Sequence, residues 1–175
     1  MKFKIKDMTV IAITVALTFI LGWFFYLTAN LLPFPGSKFV GVTVFSSFML
    51  YFPLYKIKRK GVIFAVTFVL AGIMSLISLL MGVAIISAGL LTELLSWLVL
   101  KDYKSWQLRI VTGSFSLFGT LNSLLLTYYL AGGYGFESTD LIIPFFLMTI
   151  ISFIGGYVGA LLAYYLIENY LVDPR

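Results

Sequence analysis

Residues 88–100 read AGLLTELLSWLVL, an apolar run with one carboxylate, Glu93, set inside it. What that acid can do depends on whether the run sits in water or in lipid, and the composition of the whole chain decides between them. The 175 residues are 61% hydrophobic and only 11% charged, with a mean hydropathy of +1.06. Soluble domains carry about 25% charged residues, and an ordinary core cannot absorb this much apolar side chain. The chain therefore reads as an all-α integral membrane protein. Within it, an acid at the centre of a spanning helix costs about 2.5–3.5 kcal/mol on insertion scales, so Glu93 is expected to turn away from lipid.

Moving outward from that run, six apolar segments emerge at about residues 7–32, 40–55, 61–80, 83–100, 108–131 and 141–170. A spanning helix takes roughly 20 apolar residues, so six of them use up the chain as a single domain, 1–175. The breaks carry turn residues: PFPGSKFVG at 33–41, KIKRKG at 56–61, a weak break near Leu79–Gly82, KDYKS at 101–105 and GGYGFESTD at 132–140. The start, MKFKIKDMTV, has the basic residues of a signal peptide. The apolar run after it is too long for a signal core, and the segment reads as a retained first helix.

Basic loops stay on the cytoplasmic side. Lys2, Lys4 and Lys6 precede the first segment, Lys56, Lys58, Arg59 and Lys60 lie between the second and third, Lys101, Lys104 and Arg109 between the fourth and fifth, and Arg175 ends the chain. These are alternate connections, so six helices in one bundle place eleven of the 12 basic residues inside and only Lys38 outside. The predicted topology is N-in and C-in. The net charge of +5 is accounted for by topology, with no nucleic-acid partner.

Several chemistries are excluded. With no cysteine and no histidine, the chain has no disulfide, no Cys/His metal site, no Cys nucleophile and no His base. It carries no GxxxxGK[ST] phosphate loop, so it is not expected to hydrolyse ATP. Neither enzyme activity, metal nor cofactor is predicted.

Three stripes of small and polar residues remain. Gly82, Gly89, Glu93 and Ser96 share one face of the fourth segment. Thr112, Ser116, Thr120, Ser123 and Thr127 share one face of the fifth, with Asn122 beside it. Thr149, Ser152, Gly156, Gly159 and Ala163 share one face of the sixth. Each stripe alone is ordinary membrane-helix packing; together, with an acid among them, they suggest an internal site. AITVA at 12–16 puts Ala12 and Ala16 on one face of the first helix, where another helix can approach closely. Trp23, Tyr26, Tyr128 and Tyr129 sit toward the outer ends of the first and fifth segments, as interfacial aromatics do.

The AxxxA of the first helix, the basic KIKRKG after the second and the GLLTEL…DYKS stretch, laid out over nearly the whole chain, resemble the substrate-binding S components of energy-coupling factor (ECF) vitamin transporters. The chain looks most like their Trep_Strep group. The resemblance implies a multi-pass protein of a prokaryotic plasma membrane that binds a vitamin or similar micronutrient in an outward-opening pocket closed by loops 33–41 and 132–140. It also implies docking, through Ala12 and Ala16, on a transmembrane coupling protein driven by two cytoplasmic ATPases. Candidate ligand contacts are Glu93, Asn122, Trp97, Tyr128, Asn30 and Trp23. With helix 4 entering near Gly82, Glu93 is expected about 16 Å in, near the midplane. There it either forms the polar floor of the pocket beside Asn122 or, protonated, only packs a neighbouring helix. The competing readings are a noncatalytic membrane scaffold or assembly protein and a stand-alone small-molecule transporter.

Overall fold

A computed structural model describes residues 3–29, 37–130 and 138–171. Within them the chain forms six α-helices: α1 (Ile5–Ala29), α2 (Ser37–Ile57), α3 (Val62–Ser75), α4 (Leu79–Val99), α5 (Ser105–Leu130) and α6 (Ser138–Leu166). A π-helical turn, Ile167–Leu171, follows α6. No strand occurs among the described residues. Three helices contain stretches long and apolar enough to cross a membrane: Ile5–Phe24, Leu79–Val99 and Phe145–Tyr170. Shorter apolar stretches, Val42–Ile57 and Val62–Ser75, lie in α2 and α3.

The starts of α1 and α5 follow from local chemistry. A helix leaves its first N–H groups without internal partners. Here the third helical residue reaches back in both cases: Asp7 accepts from the Lys4 N–H at 3.0 Å, and Gln107 accepts from the Lys104 N–H at 3.1 Å. Both are the back-bonding half of a capping box. Asp7 also pairs with Arg59 at 3.4 Å, tying the start of α1 to the α2–α3 connection.

Helix α2 is the hub. It packs against α1, α3, α5 and α6, while α1–α3, α3–α4, α4–α5 and α5–α6 contacts form an arc that stays open between α1 and α6. Tyr51, Leu54, Ile63, Leu108 and Val111 form the buried centre. Large apolar residues on the outside, among them Ile20, Phe24, Leu98 and Phe146, are more than half exposed. Such a surface belongs in lipid or against a partner rather than in water.

Small residues set how closely the helices approach. Gly159 lies against the backbone carbonyl of Val44, and Gly156 against the hydroxyls of Ser47 and Ser116; any side chain at either would overlap them. Ser47 donates to the Thr112 carbonyl at 2.8 Å and lies 2.7 Å from the Ser116 hydroxyl, which itself donates to the Thr43 carbonyl at 2.9 Å. This hydroxyl ladder sutures α2 to α5 where α6 presses closest. In the α3–α4 hairpin, Gly89 lies against Thr67 and Gly82 against Ser75.

Two expectations change. The third and fourth segments break at residues 76–78, not near Leu79–Gly82; Gly82 is buried inside α4 because Ser75 needs its missing side chain. The three stripes do not converge on one internal site. The α4 stripe is taken up by α3, and Ser116 of α5 and Gly156 of α6 meet each other and Ser47 of α2.

These contacts separate the glycines by cost. Gly159→Ala should destabilise the bundle by about 1–3 kcal/mol, the range for forced overpacking. Gly119→Ala, where an added methyl meets nothing within 4 Å, should be stabilising by up to about 1 kcal/mol through helix propensity. Thermal unfolding in detergent of the two variants checks the order; a Gly159→Ala protein as stable as Gly119→Ala would refute the packing assignment.

Candidate functional site

Glu93 is 6% exposed and its carboxylate is fully engaged. Oε1 accepts from the Gly61 N–H at 2.6 Å, from the Trp97 indole N–H at 2.9 Å and from the Ser96 hydroxyl at 3.2 Å; Oε2 accepts from the Phe64 N–H at 3.2 Å. Gly61 is the residue before α3 and adopts φ 91°, a left-handed conformation that favours glycine. It has no side chain to cap the helix that follows. The acid reaches across from α4 instead, satisfying free N–H groups at α3's positive end. Over the Trp97 ring, at 6.0 Å, lies the Lys60 ammonium. In the α4–α5 connection, burial and the nearby Glu93 carboxylate push the Tyr103 phenol above its ordinary range.

Glu93 thus sits elsewhere than expected. It is six residues, or about 9 Å, from the end of α4 at Val99, and not at the middle of the helix. Two facts place it there: α4 starts at Leu79, earlier than the sequence suggested, and α3 is only 14 residues long. Nor is it beside Asn122. The Asn122 amide donates to the Ser87 hydroxyl at 2.9 Å, six residues earlier on α4.

The structure therefore divides the sequence-predicted residues into two groups. Trp97 joins Glu93, with its ring about half exposed. Asn122 joins α5 to α4 through Ser87 on the far side of the midpoint of α4. Near it in sequence, the Thr120 hydroxyl is buried with no hydrogen-bond partner. Tyr128, two turns on, packs edge-on against Phe145 of α6, centroids 6.4 Å apart. Trp23 is 40% exposed on α1. Asn30 and the central parts of the two outer loops lie outside the described residues. Ala12 and Ala16 are both exposed, on a face of α1 that none of the other described helices covers.

Sequence reasoning missed the partner of Glu93. A signal existed: KIKRKG offers no Ser, Thr, Asp or Asn to cap the apolar helix after it, so the cap had to come from elsewhere in the chain. It also missed Arg109, whose guanidinium lies 5.7 and 5.2 Å from the Tyr157 and Tyr164 rings and whose Nε–H donates to the Ser105 carbonyl. Among the described residues no three acidic side chains gather where a metal ion could be held. No family model, curated protein or solved structure matches the chain.

Loss of a helix cap costs about 0.5–2 kcal/mol, and a donor left buried and unpaired costs about 1–3 kcal/mol. Glu93→Ala should therefore cost about 2–3 kcal/mol and speed amide exchange at residues 61–67 selectively. Glu93→Gln, which keeps one acceptor oxygen, should fall between it and the wild type. Hydrogen exchange with mass spectrometry reads this directly; unchanged protection of 61–67 in both variants would remove the capping role.

Proposed function

We propose that this chain is the substrate-binding subunit of an ECF-type transporter, taking up a vitamin or similar ring-containing micronutrient with energy from partner ATPases. The observation that carries the reading is the uncovered face of α1. Ala12 and Ala16 are exposed on a helix long and apolar enough to span a membrane. Small residues at helical spacing there are suited to close approach by a helix of another protein. The coupling protein and its two ATPases are the partners the sequence resemblance implies, and the chain itself has no phosphate loop with which to use ATP.

In this reading all six helices cross the membrane of a prokaryotic cell, with the N-terminus, the α2–α3 and α4–α5 connections and the C-terminus in the cytoplasm. The ligand enters from the opposite side, toward Asn122, Thr120 and Tyr128, with Trp23 near the mouth. The unpartnered Thr120 hydroxyl supports a polar contact at that level. Glu93 and Trp97 leave the list of ligand contacts, because the carboxylate already holds four donors and lies toward the cytoplasmic end. The scaffold reading remains the alternative, and the use of small and hydroxyl residues in helix–helix packing favours it.

Two experiments separate these. Ala12→Trp or Ala16→Trp should abolish co-purification of a transmembrane coupling protein with two ATPases. The same variants should keep the small molecule that mass spectrometry finds released from the wild-type protein, whereas Asn122→Ala should lose it at least about tenfold, or 1.4 kcal/mol. Normal assembly of both tryptophan variants would sink the docking assignment, and a wild type that carries neither ligand nor ATPases would favour the scaffold.

Topology is tested on a chain with no native cysteine. A cysteine at 57–60 should react with an impermeant thiol reagent only after permeabilisation, and one at 33–36 or 132–137 in intact cells. Labelling at 57–60 in intact cells would overturn the orientation.

A further inference from the structure

A groove of about 590 Å³ runs along the seam of α1 and α2. Val10 and Leu17 of α1 and Phe48 and Phe52 of α2 line its length, and Tyr55 and Lys56 stand at one end. From Val10 to Leu17 it extends about 10 Å along the helix. Its polar end is strongly cationic. The Lys58 ammonium lies 5.1 Å from the centre of the Tyr55 ring. Lys6 sits one helical turn before Val10, on the same face of α1. Lys6, Lys56 and Lys58 are all exposed, and none forms an ion pair with a carboxylate among the described residues.

An apolar trough with three lysines at one end that lack a carboxylate partner among the described residues matches an amphiphile with an anionic head. A partner's spanning helix is a poor fit, since it would need a seam of about 30 Å. A zwitterionic lipid would fill the trough but leave the lysines without a net negative partner. We propose that this groove is a binding site for one anionic phospholipid, an acyl chain lying between α1 and α2 and the phosphate held by Lys56 with Lys6 and Lys58. The inference rests on the membrane reading and is independent of the transport reading. Ala12 and Ala16 project roughly a third of a turn around α1 from the groove, so lipid and a coupling partner can be bound together. The lipid would fill the seam beside the docking face and so fix the position of α1 against α2.

The test uses the delipidated full chain in detergent, titrated with dioleoyl phosphatidylglycerol or dioleoyl phosphatidylcholine and read by native mass spectrometry. One phosphatidylglycerol should bind at least tenfold more tightly than phosphatidylcholine. Lys56→Ala should weaken it roughly fivefold, the fold-change equivalent to the roughly 1 kcal/mol that one lysine contributes toward an anionic lipid surface. The Lys56→Ala, Lys58→Ala double variant should weaken it more than tenfold. Leu17→Trp, which fills the deep end, should weaken it too. Lys101→Ala with Lys104→Ala, elsewhere on the same face of the protein, should change nothing. Equal binding of the two lipids would overturn the site, as would an equal loss in the Lys101/Lys104 control, which would mean diffuse charge. Glycerol phosphate competing as well as the lipid would also overturn it, because a free phosphate would then be the ligand. Alkaline extraction of cell membranes, performed first, tests membrane insertion separately from lipid binding.

Discussion

The first N–H groups of a buried helix start have no partner within the helix, and each must find an acceptor elsewhere in the protein. Helix α3 meets this constraint severely. Val62 and Ile63 in its first turn are fully buried, and the residue before it, Gly61, has no side chain to offer as a cap. Glu93 resolves the problem from the neighbouring helix, and the rest of the α3–α4 hairpin follows from that register. With the carboxylate fixed on Gly61 and Phe64, Gly89 falls against Thr67 and Gly82 against Ser75, which are the places where α4 lacks side chains. One side-chain cap and two absent Cβ atoms define a single pairing of the two helices.

The other half of the bundle uses a different means to the same end. There the hydroxyls of Ser47 and Ser116 lie side by side and each donates to a backbone carbonyl across α2 and α5, and Gly156 and Gly159 let α6 close over them. Neither hydrocarbon nor a hydrophobic effect between helices favours association in a membrane, so close packing and internal hydrogen bonds have to supply it. Polarity spent this way is unavailable to a ligand. Among the described residues, what is left over is the Thr120 and Tyr51 hydroxyls, buried without a hydrogen-bond partner, and the exposed alanine face of α1. The proposed transport role rests on Thr120 and that alanine face rather than on the stripes as a whole.

The position of Glu93 shows how a site can be half legible. That it would turn from lipid was readable from the cost of burying a charge, and it is 6% exposed. What it would meet was not readable. Its depth depended on where α3 ended and α4 began, and that boundary is a three-residue turn with no proline and no glycine, Leu76, Ile77 and Ser78. An error of a few residues in a helix start moves a side chain by several ångströms along the axis and carries it to a different neighbour. Here it separated Glu93 from Asn122 and brought it to Gly61. Trp97, four residues on, followed it.

By itself the sequence determined the class of the protein and the approximate spans of its helices, because both are properties of composition and of runs: the apolar excess, the turn residues at four of the five breaks and the charge pattern between them survive any arrangement of the helices. Spacing alone did not decide whether another helix of the chain would cover Ala12 and Ala16; the structure leaves both exposed. Which polar groups meet was decided only by the tertiary structure. Partner choice among Glu93, Ser47, Ser87, Ser116 and Asn122 depends on which faces of six helices are turned together, and helical periodicity places a residue on a face without naming the face opposite. The physical reason is that spanning segments report their insertion energy residue by residue, whereas packing energy belongs to pairs of residues distant in the chain, such as Gly159 and Val44 or Gly61 and Glu93.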